Sequence, residues 1–351
     1  MSTGVATPGA GTVPGGVRAA VVDFPGSEPS VREIILAPRA GGQTLLAVVA
    51  APLNPLDLLI ASGGFHSARH EAPYVPGSEC VGVVLASDRY EPGSWVYAEC
   101  HASPLTPGSF ATRVLVADDD VLPLPDGVDP VLAAAVGNSG TAAFIPLMET
   151  AGLRPGETVL VLAATGAVGQ IAVQVARQVG AGRVIGVGRN PDALQRVGTL
   201  GAHTVVALQE GESREDLAAR LEVAAGPVDV VLDGLYGVPL EAALQVCAPR
   251  ARLVNIGNLA GPTAQLPAGL LRGKQLTLFG FAGLHLALAA KQPALSWLWA
   301  ALADGQLQVP TRTFGLDKLP AAWREQAASP HAKCVVLPNK HLLAPASKTR
   351  A

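Results

Sequence analysis

A doubly wound α/β domain joined to a small β-rich one is the fold class that this 351-residue sequence predicts. Three observations predict it. A strand, a glycine turn and an amphipathic helix follow one another in the middle of the chain; apolar strands then alternate with helices as far as Gly280; and short extended runs separated by Gly and Pro precede the whole.

The central unit runs from Thr158-Val-Leu-Val-Leu162 through Ala-Ala-Thr-Gly-Ala-Val-Gly169 into Gln170–Arg177, where Ile171, Val175 and Val179 share a helix side. Gly166 and Gly169 occupy the second and third positions of a G-x-G-x-x-G fingerprint, and Ala164 stands at the first. A helix N-terminus offers unpaired N–H groups and a partial positive charge, and residues without side chains let a pyrophosphate approach them. Thr165, Gly166, Ala167, Val168 and Gly169 are therefore candidate dinucleotide contacts. The alternation continues with a strand at Arg183–Val187, one at Thr204–Leu208, a charged helix at Glu212–Ala225 and a strand at Val228–Asp233. A helix at Pro239–Ala248 and strands at Arg252–Ile256 and Gln275–Gly280 complete six strands in order, the pattern of a parallel sheet covered on both faces.

Ahead of this unit, extended runs fall at Arg18–Val22, Val31–Leu36, Thr44–Ala51, Cys80–Ala86, Ser94–Ala98 and Phe110–Val116. Pro123, Pro125 and Pro130 lead into an apolar helix at Val131–Val136. Beyond Leu302, Gly305 and Pro310 mark another break, and Lys333-Cys-Val-Val-Leu337 reads as a last strand returning to the first domain. The expected division is 17–135 with 305–338 for the β-rich domain, 136–304 for the nucleotide domain, and tails at 1–16 and 339–351 whose Gly, Pro, Ser and Lys content gives them nothing to pack.

Composition narrows the function classes. A 49% hydrophobic content supports two cores, and a net charge of −3 with dispersed Lys and Arg offers no footprint for nucleic acid. Leu276–Ala290 is broken by Gly280, Gly283 and His285 and is too short to span a membrane, and no basic-then-apolar leader opens the chain, so a cytoplasmic protein is expected. Cys80, Cys100, Cys247 and Cys334 stand far apart, as buried thiols do.

Several blocks together resemble the medium-chain dehydrogenase/reductase superfamily, and within it the zinc-free quinone-oxidoreductase (zeta-crystallin-like) branch. They are Asn54-Pro-Leu-Asp57, Pro73-Tyr-Val-Pro-Gly-Ser-Glu-Cys-Val-Gly-Val-Val84, Gly108-Ser-Phe-Ala111, Gly140-Thr-Ala-Ala143, Pro155-Gly-Glu-Thr-Val159, the glycine turn and Ala332-Lys-Cys-Val-Val336. The resemblance implies a GroES-like β-rich catalytic domain interrupted by the nucleotide domain, an active site between them, and a homodimer pairing edge strands at Gln275–Gly280. In the zinc alcohol dehydrogenases of the superfamily, a thiolate, an imidazole and a third ligand stand where this sequence has Asn54, Ser78 and a position near Asn138. Amides and a neutral hydroxyl are poor zinc ligands, so no catalytic metal is expected. The four-cysteine zinc lobe is missing too, since Glu99–Gly108 is short and holds only Cys100; Cys80, Cys100, His66 and His101 could still meet through folding.

Without zinc, the acceptor must delocalise its own developing charge, which favours a quinone or an α,β-unsaturated carbonyl over a simple ketone. Asn54 could donate to a substrate oxygen or a ribose hydroxyl and Asp57 could hold the loop or a water, although Asn before Pro and Asp after it also stabilise bends. Related enoyl-thioester reductases carry a donor tyrosine where this chain has Phe65; Tyr74 could line the cleft or simply pack, and His66 or solvent could supply the proton. A carrier-bound enoyl substrate and a non-catalytic cofactor-binding role are the alternatives to a free quinone or enone. At the end of the second nucleotide strand, where an NAD enzyme needs a carboxylate, the chain has Gly188-Arg189-Asn190. A guanidinium there can bind a 2′-phosphate, so NADPH is the expected cofactor, unless Arg189 is only an exposed loop cation. By resemblance, Thr141, Gly257, Phe279, Phe281 and Lys333 join the cofactor edge, with Asn255 beside them.

Overall fold

Residues 16–64, 72–103 and 105–343 are described by the structure, a computed structural model. The chain opens with an antiparallel pair, β1 (Val17–Val21) and β2 (Ser30–Ile34), then the long strand β3 (Gln43–Pro52) and helix α1 (Pro55–Ala61). Next come β4 (Glu79–Ala86), β5 (Trp95–Glu99), β6 (Arg113–Ala117), β7 (Val121–Pro123) and helix α2 (Pro130–Ile145), which continues as a π turn to Thr150. The nucleotide portion contains β8 (Thr158–Leu162), α3 (Ala167–Gln178), β9 (Arg183–Gly188), α4 (Pro191–Thr199), β10 (Thr204–Ala207), α5 (Arg214–Ala225), β11 (Val228–Asp233), α6 (Gly237–Val246), β12 (Cys247–Asn255), α7 (Ala268–Lys274), β13 (Thr277–Gly280) and α8 (Leu288–Ala303). The chain then forms β14 (Thr311–Gly315), α9 (Leu319–Ala327) and β15 (Lys333–Leu337).

The six nucleotide strands lie in the order β10-β9-β8-β11-β12-β13, all parallel, with the chain reversing its direction of winding between β8 and β11. Such a switch leaves a crevice at the carboxyl ends of the strands, where ligands bind. The other large sheet runs β14-β15-β3-β4-β5-β7, with β6 also paired to β3, so the final strand does return to the first domain. This is the parallel sheet and β-rich domain that the sequence pattern called for, and the interrupted GroES-like arrangement that the resemblance implied.

Some elements differ from expectation. The Asn54-Pro-Leu-Asp57 block, for which a bend is one of two readings, begins a helix: Pro55 sits at the first helical position, where its missing N–H costs nothing, and Asn54 and Asp57 form a capping box. Helix α2 is far longer than Val131–Val136 and runs unbroken through residue 136, where the passage between domains was expected. Gly137 and Gly140 interrupt its apolar pattern because neighbours pack onto them: a Cβ would lie 2.6 Å from Tyr97 Cε2 at the first and 2.7 Å from Leu298 Cδ1 at the second. With its π turn the helix spans Pro130–Thr150, long and apolar enough on length and composition to cross a membrane, but 67% of the qualifying stretch is buried inside the protein. It is the core helix on which α3, α8 and strands β3 and β4 pack. Residues 339–343, placed in a tail by the sequence, contribute a short 3₁₀ turn, and Asn339 Nδ2 donates to the carbonyls of Val48 (2.9 Å) and Thr112 (2.7 Å).

Candidate active site

The glycine turn lies at the crevice between β8 and β11. Ala163, not Ala164, takes the left-handed conformation (φ 66°), at a cost of about 1–2 kcal/mol for a residue with a Cβ. Gly169 brings α3 onto the turn: a Cβ there would stand 2.5 Å from Ala164 Cα and closer still to the Ala163 carbonyl oxygen. Gly166 differs. A Cβ on it would find only the Ala163 oxygen, at 3.6 Å, and no side chain caps the helix that starts beside it. The cradle over Gly166, Ala167 and Val168 therefore fits a pyrophosphate, which main-chain N–H groups can hold without a side chain in the way. Thr165, Gly188, Arg189 and Asn190 adjoin it. Gly188 is buried against Thr165, whose Cγ2 would lie 2.6 Å from an added Cβ; Arg189 is exposed; and Asn190 caps α4 by accepting from Ala193 N–H at 2.9 Å. Farther along the same strand edge, Asn255 Nδ2 donates to Asp233 Oδ2 (2.8 Å) and to the Gly257 carbonyl (2.7 Å), while Phe279 and Phe281 pack on the core that surrounds α2.

Strand register builds the second half of the site. Pairing of Val335 with Pro52 and of Val336 with Ala51 carries Lys333 to Asn54, although the two are far apart in sequence. The Lys333 ammonium donates to Asn54 Oδ1 and to Ser139 Oγ (2.8 Å); Asn54 Nδ2 donates to Glu79 Oε1 (2.9 Å) and, at the longer distance of 3.3 Å, to Ser78 Oγ. The other Glu79 oxygen accepts from Tyr97 Oη and from Asn138 N–H, each at 2.7 Å. Asn54, Glu79 and Lys333 are 1–2% exposed, so this is a buried charged network with its hydrogen bonds made. Burial pushes the Lys333 ammonium below its ordinary value, and burial together with the Glu79 carboxylate raises the Tyr97 hydroxyl well above its own.

Glu79 also stands directly opposite Glu99 across β4 and β5, a repulsive arrangement unless each carboxylate has a partner. Lys291 of α8 supplies it for Glu99, donating to both oxygens at 2.7 and 2.9 Å. Burial nevertheless raises the Glu99 carboxyl. These groups border a cavity of about 190 Å³ whose lining includes Asp57, Tyr74, Ser78, Tyr97, Asn138 and Leu284. Asp57 is 3% exposed, its Oδ2 accepts the Asn54 N–H at 2.8 Å, and burial pushes its carboxyl up to about 7 against the lowering effect of that N–H.

The structure thus joins Asn54 to Asp57 and to Lys333 by hydrogen bonds behind the cavity, places Asp57 and Tyr74 on its wall, and sets the glycine turn with Gly188, Arg189 and Asn190 at the strand edge. Thr141 is buried and turns its hydroxyl back to the Gly137 carbonyl (3.0 Å) within its own helix. Sequence reasoning missed the roles of Glu79, Tyr97, Ser139, Glu99 and Lys291. Glu79 and Lys333 did carry a signal, each being a charge that opens an otherwise apolar strand. Phe65 and His66 lie outside the described residues. Cys80 and Cys100 are buried thiols, the latter raised by its hydrogen bond with the former and by burial, while His101 faces Asp120 at 3.3 Å on the exposed side. Among the described residues no three His, Cys, Asp or Glu side chains are grouped to hold a metal ion.

The fold and this site define a class: a protein with paired Rossmann-like and GroES-like domains and a glycine turn fitted to a dinucleotide. Family models agree, one for the alcohol dehydrogenase GroES-like domain matching residues 40–126 and one for zinc-binding dehydrogenases matching residues 167–300. A quinone oxidoreductase of Pseudomonas aeruginosa is 33% identical over 262 residues, 72% of this chain and 73% of the relative. A phenolphthiocerol/phthiocerol polyketide synthase of Mycobacterium tuberculosis is 34% identical over 341 residues, 92% of this chain, which spans only 15% of that protein's length. The crystal structure of an alcohol dehydrogenase superfamily protein from Novosphingobium aromaticivorans superimposes with a TM-score of 0.78 at 26% identity, covering 92% of this chain and 99% of that one. The chain belongs to the quinone-oxidoreductase family of the medium-chain dehydrogenase/reductase superfamily. The match to the Pseudomonas quinone oxidoreductase carries this membership, and the two domain models agree with it.

Proposed function

We propose that the enzyme uses NADPH to reduce a quinone, or the carbon–carbon double bond of an α,β-unsaturated carbonyl. The observation that carries this reading is the donor chemistry at Asn54, Ser78 and Asn138: an amide, a hydroxyl and a main-chain N–H, all tied to Glu79 or its neighbours. Such a wall offers hydrogen bonds rather than a Lewis acid, so the acceptor has to spread its own charge. Bound NADPH would supply the hydride. Asn54 would orient the acceptor: its amide proton toward Ser78 makes the longer bond, and that proton can be redirected to a substrate oxygen while Glu79 and Lys333 keep the amide plane fixed. With NADPH carrying deuterium at the transferable C4 position, in buffer containing EDTA, label is expected at the β-carbon of an enone. Activity restricted to saturated alcohols and ketones, or abolished by EDTA and restored by zinc, would overturn the reading.

Arg189 is the expected selector of NADPH over NADH. Its exposed guanidinium follows Gly188, where no carboxylate repels a 2′-phosphate. Arg189→Ala is expected to weaken NADPH binding by about 1.5–3 kcal/mol, the scale of hydrogen bonds to charged groups, and to leave NADH nearly unchanged. Equal losses in a fluorescence titration with the two cofactors would assign Arg189 a structural role.

A second reading is favoured by the identity to a polyketide synthase over 92% of this chain. The acceptor would then be an enoyl thioester held on a carrier. A kcat/KM higher for the carrier-bound enoyl group than for free enones and quinones would select this reading. The exposed edge strand β13 supports the pairing of two copies through this segment.

A further inference from the structure

We propose that Asp57 is the proton donor that completes the reduction of an enone, delivering its carboxyl hydrogen to the α-carbon. The proposal rests on the enone reading above. A capping carboxylate in the first turn of a short helix ordinarily faces water, but Asp57 is buried to 3% exposure and borders the 190 Å³ cavity with Tyr74, Ser78 and Asn138. Its Oδ2 is engaged by the Asn54 N–H at 2.8 Å, and the Ser78 hydroxyl also bonds the carboxyl. The residue that aligns the acceptor and the residue that would protonate it are therefore joined by one hydrogen bond.

The other donors on the cavity wall are committed elsewhere. Tyr97 gives its hydrogen to Glu79, and Lys291 gives two to Glu99. His101 lies toward solvent beside Asp120. Burial holds the Tyr74 hydroxyl to its proton. Asp57 can both lose and regain a proton near neutrality, because burial and Glu79 raise it to about 7 while Asn54, Lys333 and Ser78 hold it from going higher. In the step itself, hydride forms the new β-carbon bond and the electron pair of the double bond moves onto the α-carbon and carbonyl oxygen. The Asp57 O–H bond then breaks, its electrons remain as carboxylate, and the hydrogen forms the α-carbon bond. Water entering the cavity restores the acid.

Reduction of an enone with a prochiral α-carbon in D₂O tests this. The wild-type enzyme is expected to place deuterium on one face of the α-carbon. Asp57→Asn keeps an oxygen to accept the Asn54 N–H but has no acidic hydrogen; it should lose that stereospecificity. Its enone-to-quinone kcat ratio should also fall by about 100-fold, within the range of general acid catalysis, since water can protonate the oxygens of a reduced quinone. Unselective α-labelling by the wild-type enzyme, retention of one configuration in Asp57→Asn, or its loss only in Tyr74→Phe would each overturn the proposal. Failure of the hydride reading is separately visible, as absence of label from C4-deuterated NADPH at the β-carbon.

Discussion

Lys333→Met is expected to destabilise the protein by about 3–5 kcal/mol, the usual cost of removing one partner from a buried charged group. The side chain is 2% exposed, and its ammonium is the cation that compensates Glu79 and Asp57 from β15. A methionine fills much of the same volume, so packing alone predicts a small change; the electrostatic argument predicts a large one. Glu79 would keep its hydrogen bonds from Asn54, Tyr97 and Asn138, but its charge would stand in a low-dielectric site without a counterion. Adding Glu79→Gln should then recover at least about 1 kcal/mol, a coupling of the size found between groups of one network. Urea unfolding midpoints of the two single variants and the double variant measure it. A loss under about 1 kcal/mol for Lys333→Met, with additive effects, would mean that Lys333 is neutral in the folded protein and serves only as a hydrogen-bond donor.

That network also marks where sequence reading stops. The parallel sheet was legible because its information is local: each strand is a short apolar run and each helix presents its own periodicity, so five of the six strands begin within two residues of the expected position and the sixth, β12, starts earlier at Cys247. The turn chemistry of Asn54-Pro-Leu-Asp57 was ambiguous for a physical reason. Asn, Pro and Asp stabilise a bend and a helix start by the same hydrogen bonds, and only the residues that follow decide between them. Helix α2 reads short in the sequence because its apolar run gives way to Gly137, Ser139 and Gly140, whereas in the fold their small size lets Tyr97, Lys333 and Leu298 approach. The meeting of Lys333 with Asn54 and Glu79 depends on the register of β15 on β3 and of β3 on β4, which no local pattern contains. Charges opening apolar strands point to such meetings in general; they do not say which charges meet.

Gly166→Ala is expected to abolish tight NADPH binding, by two orders of magnitude or more in Kd, while leaving the fold intact. The backbone at Gly166 is extended (φ −77°, ψ 169°), a conformation alanine adopts without strain, and its Cβ would meet nothing nearer than 3.6 Å. The free protein thus has room for the methyl group, but that room is the approach to the N–H groups at the start of α3. Gly169→Ala makes the contrast. There the Cβ would collide with main-chain atoms of Ala163 and Ala164, and backbone cannot rotate away as a side chain can, so α3 must shift from the turn. Both variants should lose NADPH, but only Gly169→Ala should lower the unfolding midpoint of the protein without cofactor, by an amount equivalent to about 1–3 kcal/mol. Thermal melts with and without NADPH separate the two roles: a Gly166→Ala protein that melts normally yet is still stabilised by NADPH would show that the pyrophosphate does not lie over this turn.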